Sequence, residues 1–107
     1  AVGDEIPSRI ESIGNQELVN IVYAFSRLGH RHENLLRAVC RHLPAKLDEL
    51  KAQELANTLF AMSILQFRHR GFLDAMCDHI PKRLREFNQQ NLENVVYAVG
   101  QLRHKHE

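Results

Sequence analysis

An all-α fold, an α-solenoid of stacked helical hairpins with a 37-residue repeat, is what this sequence predicts, on three observations. Pro7, Pro44 and Pro81 stand 37 residues apart. The same offset superposes whole columns: Gln16, Gln53 and Gln90; Leu18, Leu55 and Leu92; Asn20, Asn57 and Asn94; Ala24, Ala61 and Ala98; Leu28, Leu65 and Leu102. Tyr23, Phe60 and Tyr97 make an aromatic column, and His32, His69 and His106 a histidine one. Third, no alternating run of β-branched residues argues for a strand. A fixed period of this size is the signature of one supersecondary unit repeated along a stack.

The units run 7–43, 44–80 and 81–107, the last truncated before a second helix. The whole of 1–107 is then a single solenoid segment. One unit cannot bury its apolar face alone, so the segment is expected to belong to a longer array. The first helix of a unit is read from about Asn15 to Leu28, with Leu18, Ile21, Val22, Phe25 and Leu28 at helical spacing. Gly29 is a suitable stop, because glycine takes the left-handed conformation past a helix end without strain. A second helix is read from about Glu33 to Leu43, with Leu35, Leu36, Val39, Cys40 and Leu43 as its stripe. Pro44 has no amide hydrogen to donate and so ends that helix or opens a further turn, over Ala45 to Leu50. Ala24, Ala61 and Ala98 are read as points where neighbouring helices approach closely.

Composition narrows the function classes. A chain of 107 residues makes one domain, and 14 basic against 13 acidic residues give a net charge of +1. That balance does not coat nucleic acid by charge alone, so any cations that matter must be arranged. No apolar run approaches the ~20 residues that cross a bilayer. Ala1 to Arg9 carry acids and a proline where a signal peptide has its apolar core. With no initiator Met, the sequence reads as a processed product or an excerpt. Cys40 and Cys77 are too few for a disulfide framework; at equivalent places on stacked helices, they read as small buried apolar residues in a reducing compartment.

The unit core Leu–x–Asn–x–x–aromatic–Ala, carried by Leu18 to Ala24, Leu55 to Ala61 and Leu92 to Ala98, resembles the heptatricopeptide repeat. It is similar also to the octotricopeptide repeat and to the helical repeats of FAST-kinase-like proteins that carry a RAP domain. The resemblance spans nearly the whole chain. It implies an organellar RNA-binding protein, mitochondrial or plastid, acting on single-stranded or ribosomal RNA in RNA processing, stability or the mitochondrial ribosome. Partners would be RNA and ribosomal or other ribonucleoprotein subunits. No RAP domain is visible in this sequence, so no activity tied to one carries over.

Plotted at 100° per residue, the side of the first helix opposite its apolar stripe carries Gln16, Asn20, Tyr23 and Arg27. The next units present Gln53, Asn57, Phe60 and Ile64, then Gln90, Asn94, Tyr97 and Gln101. Amides bond base edges and aromatics stack on bases, so these amides, with Arg27, are the expected base contacts. The same aromatics also suit inter-repeat packing, and the asparagines also suit bridging backbone groups between units. A residue identical in every unit cannot distinguish bases. Choice of sequence therefore falls to variable columns, Asn15, Ala52 and Gln89 or Arg27, Ile64 and Gln101. Two columns are cationic in every copy: Arg31, Arg68 and Lys105 after the first helix, and Arg9, Lys46 and Arg83 after the proline. Aligned cations track a phosphate backbone whatever its sequence, unless they pair with surface acids or helix ends instead.

The paired histidines His30 and His32, and His104 and His106, follow from repetition rather than from a metal site, since neither pair has an evident third and fourth ligand. The histidine column adds phosphate contacts when protonated or simply closes the turn. No catalytic motif or phosphate-binding glycine loop occurs, so neither an enzyme, a cofactor nor a small-molecule substrate is expected. The competing reading is a protein-interaction scaffold without RNA contact; a third is a spacer that positions an enzymatic domain elsewhere.

Overall fold

The computed structural model describes residues 13–104, and among them all regular structure is helical. Helices α1 (Asn15–Arg27) and α3 (Ala52–Ile64) have 13 residues each, α2 (Glu33–His42) and α4 (Arg70–His79) have 10, and α5 (Gln89–His104) has 16. A 3-10 turn follows each second helix, at Leu43–Glu49 and Ile80–Glu86, with Pro44 and Pro81 in the first positions, where a missing amide hydrogen costs nothing. Of the prolines that mark the period, Pro7 lies outside the described residues. No helix among them is long and apolar enough to cross a membrane.

Helices α1 and α3 close through the same backbone device. The amide of His30 bonds the carbonyl of Phe25 at 2.9 Å, and that of Phe67 bonds the carbonyl of Met62 at 2.9 Å, the long bond of a Schellman end. The residue that must turn left-handed is Gly29 (φ 68°) in one copy and Gln66 (φ 55°) in the other. Glycine adopts this at no steric cost; Gln66 is strained there, on the order of 1 kcal/mol.

Each second helix is started by its histidine. His32 Nδ1 accepts from the amide of Leu35 (3.2 Å), and His69 Nδ1 from that of Phe72 (3.1 Å). The histidine column therefore closes the turn, at least in these two copies; His106 lies outside the described residues. Replacing His69 by Ala leaves the Phe72 amide without that partner and is expected to cost about 1 kcal/mol. His69→Asn keeps an acceptor in reach and should recover most of it, which urea denaturation of the two variants will check.

Packing distinguishes copies that the sequence makes alike. Helix α3 lies between α1 and α5 and buries eight residues, where α1 buries four. Val19, Val22 and Ser26 of α1 are buried, as are Ala56, Leu59 and Ser63 of α3; their equivalents in α5, Glu93, Val96 and Gly100, are exposed. This is the face each first helix turns to its successor. The opposite flank shows the converse: Ala24 of α1 and Leu28 at its end are exposed, whereas Ala61 and Leu65, then Ala98 and Leu102, are buried. Alanine thus sits where one helix meets its predecessor, and Leu28, expected in the core, is 78% exposed. The serines between helices satisfy themselves, Ser26 Oγ donating to the Tyr23 carbonyl and Ser63 Oγ to that of Phe60, both at 2.6 Å.

The second helices bury the expected stripe. Leu35, Leu36, Val39 and Cys40 of α2 are buried, with Leu43 just beyond, and Phe72, Leu73 and Met76 repeat it in α4. Both cysteines are free. Burial pushes the Cys40 thiol up to about 12, so it stays protonated at neutral pH and acts as an apolar side chain.

Candidate RNA interface

Helix α3, with neighbours on both flanks, defines which side faces outward. Gln53 and Ile64 are exposed and Asn57 and Phe60 half-buried, four positions along one face. The flanking helices repeat the pattern: Gln16, Asn20 and Arg27 exposed with Tyr23 half-buried, and Gln90, Tyr97 and Gln101 exposed with Asn94 half-buried. The expected base-contacting residues therefore share one outward surface, three helices wide. No hydrogen bond links the side chains of Asn20, Asn57 or Asn94 to another described residue, so the backbone-bridging alternative finds no partner among these residues. Phe60 and Tyr97 meet across the α3–α5 boundary with ring centroids 5.8 Å apart, tilted by 43°. They serve inter-helix packing and still present ring surface: Tyr97 is 51% exposed.

The two variable columns part company. Asn15 is half-buried and donates to Glu49 Oε1 at 2.8 Å, and Ala52 is buried, so that column is closed in two of three units. Arg27, Ile64 and Gln101 stay exposed in all three.

The cationic columns also divide. Arg31 is 45% exposed, pairs with Glu33 at 3.4 Å, and lies with its guanidinium carbon 5.6 Å from the ring centroid of Phe67. That contact joins the turn of one unit to the turn of the next, where half-buried Arg68 follows Phe67 directly. Arg9 and Lys105 lie outside the described residues. Lys46 is 42% exposed, 3.9 Å from Glu49, and with Arg41 and His42 borders a groove of about 770 Å³.

Arg83 is turned inward, only 15% exposed. Its Nε and one terminal nitrogen reach the two Glu86 oxygens at 3.0 and 2.8 Å. The terminal nitrogens also donate to the carbonyls of Leu47 (3.0 Å) and Leu50 (2.7 Å), and one meets His79 Nε2 at 3.1 Å. Four guanidinium hydrogens thus reach oxygens within the protein, and the fifth position faces the His79 ring. Arg83 thus ties the second unit to the end of the first unit's 3-10 turn. Its charge is legible in the sequence; the carbonyls it caps, 33 and 36 residues away, are not.

Among the described residues no group of three or more His, Cys, Asp or Glu is placed to hold a metal. His30 instead meets Phe25 edge-on at 5.2 Å and His32 at 6.0 Å between ring centroids.

The family model of the RNA-editing substrate-binding complex 6 protein matches residues 17–107. No curated protein and no solved structure matches the chain.

Proposed function

The chain belongs to the RNA-editing substrate-binding complex 6 protein family, and on that premise we propose that it is an RNA-binding segment of an α-solenoid, built on a 37-residue unit of the heptatricopeptide and octotricopeptide kind. It binds single-stranded RNA in RNA processing within a mitochondrial ribonucleoprotein, and has no catalytic role. The observation that carries this reading is the outward surface of α1, α3 and α5. Three helices present glutamine, asparagine and an aromatic ring at matching positions, and the exposed Arg31 follows the first of them in the chain. Amides bond base edges, rings stack on base faces, and Arg31 with Arg68 anchors phosphate.

The test is binding of short single-stranded RNA across a salt series, with the chain intact and with Arg31, Arg68 and Lys105 changed to Ala. Binding should weaken with salt, and the triple variant should show weaker binding and a shallower slope, by about 0.7 for each phosphate that the variant leaves unneutralised. A folded chain that binds no RNA at low salt would sink the reading and favour the protein scaffold, for which Ile64 (46% exposed) and Tyr97 on the same surface would be the apolar anchors.

A further inference from the structure

An RNA-binding surface made only of identical units would hold any strand equally. The outward face is nearly that: its glutamine column is Gln16, Gln53 and Gln90, its asparagine column Asn20, Asn57 and Asn94, and its third column is a ring throughout. A fourth column, Arg27, Ile64 and Gln101, changes chemistry from unit to unit. All three residues are exposed, and each lies one helical turn beyond the aromatic ring, on the same side of its helix. The other variable column is closed in two of its three units, by burial of Ala52 and by the Asn15–Glu49 hydrogen bond, and leaves only Gln89 exposed. No ion pair or hydrogen bond ties Arg27 or Gln101 to another described residue.

We propose that Arg27, Ile64 and Gln101 set the base preference of the bound strand, one base per first helix. This rests on the RNA-binding reading above and adds sequence choice to it. Arg27 offers donors and no acceptor, which matches the two adjacent acceptors O6 and N7 of guanine. Gln101 offers one donor and one acceptor at the amide end, which matches N6 and N7 of adenine. Ile64 makes no hydrogen bond and selects no base. The strand favoured has guanine opposite α1, any base opposite α3 and adenine opposite α5.

The ring of the preceding turn explains how so few contacts discriminate. A base stacked on Tyr23, Phe60 or Tyr97 is held with its edge toward the residue four positions on, so the hydrogen-bonding groups meet in a fixed plane. The ring contributes equally for every base, and the fourth column contributes the difference.

Fluorescence anisotropy with nine-nucleotide RNAs tests this: oligouridylate, the same strand with one central guanine, with two guanines separated by one uridine or adjacent, and with guanine and adenine flanking a uridine in either order. The single guanine should tighten binding about tenfold over oligouridylate, as one good bidentate pair does. Arg27→Ala should bring that ratio close to one. Ile64→Arg should create a second guanine preference, so that one of the two-guanine strands gains a further factor of about ten. Both positions are on the surface, and circular dichroism will establish that the variants fold. A guanine ratio that survives Arg27→Ala, or an Ile64→Arg variant with no new preference, overturns the proposal while RNA binding stands. Failure to bind any of the strands overturns it together with the RNA reading.

Discussion

Leu59→Ala is expected to destabilise the chain by about 3 kcal/mol, within the range of large-to-small changes at buried sites. Leu59 is 0% exposed on α3, on the flank that meets α5. Removing its terminal isopropyl group forfeits the transfer energy of three carbons and leaves a cavity that two packed helices cannot close. The informative comparison is Val96→Ala. Val96 holds the same place in its unit, yet it is 71% exposed, so its truncation should stay within about 0.5 kcal/mol. Urea denaturation of both variants, read as a shift in midpoint at constant slope, tests this. Equal effects at the two positions would mean that Leu59 owes its burial to its own unit and not to the neighbouring helix.

That contrast marks what the sequence could reveal. Periodicity describes a unit, and units are chemically alike, so the helix spans and the stripe of α2 and α4 were legible from residue types alone. So was the outward face, because the side of a helix opposite its apolar stripe follows from 100° per residue. Periodicity does not say which neighbour covers which flank. Val19 and Ser26 are buried while their equivalents Glu93 and Gly100 are exposed, and Leu28 is exposed while Leu65 and Leu102 are buried. Ser26 and Ser63 stand 37 residues apart and carried a readable signal: a recurring small hydroxyl that can bond its own helix suits a helix–helix contact. Gln66 carried none, since a left-handed φ at a glutamine is imposed by the turn that Gly29 makes easily. The phosphate candidates were visible as charge. Their separation into the exposed Arg31 and the inward Arg83 depended on carbonyls whose positions no spacing encodes.

Arg83→Ala should therefore cost stability rather than RNA affinity, by about 3 kcal/mol. The side chain is only 15% exposed, and its guanidinium bonds two carbonyls at the end of the Leu43–Glu49 turn, together with the Glu86 carboxylate, and meets His79. Truncation leaves the Leu47 and Leu50 carbonyls without these donors, and charge-assisted hydrogen bonds are worth about 1.5–3 kcal/mol each at most. Arg83→Lys keeps the charge but not the planar fork that spans two carbonyls and a carboxylate, so it should recover only part of the loss. The pair also has a pH signature. The hydrogen bond from Arg83, then its charge and that of His79, holds the Glu86 carboxyl below the usual carboxylate range. A depressed folded value means a contribution present at neutral pH and lost as pH falls into the acid range. Acid denaturation of the Arg83→Ala variant should lack that component. If instead the variant keeps full stability and loses RNA binding, Arg83 must swing outward to reach phosphate, and the tie between the two units is not what holds it in place.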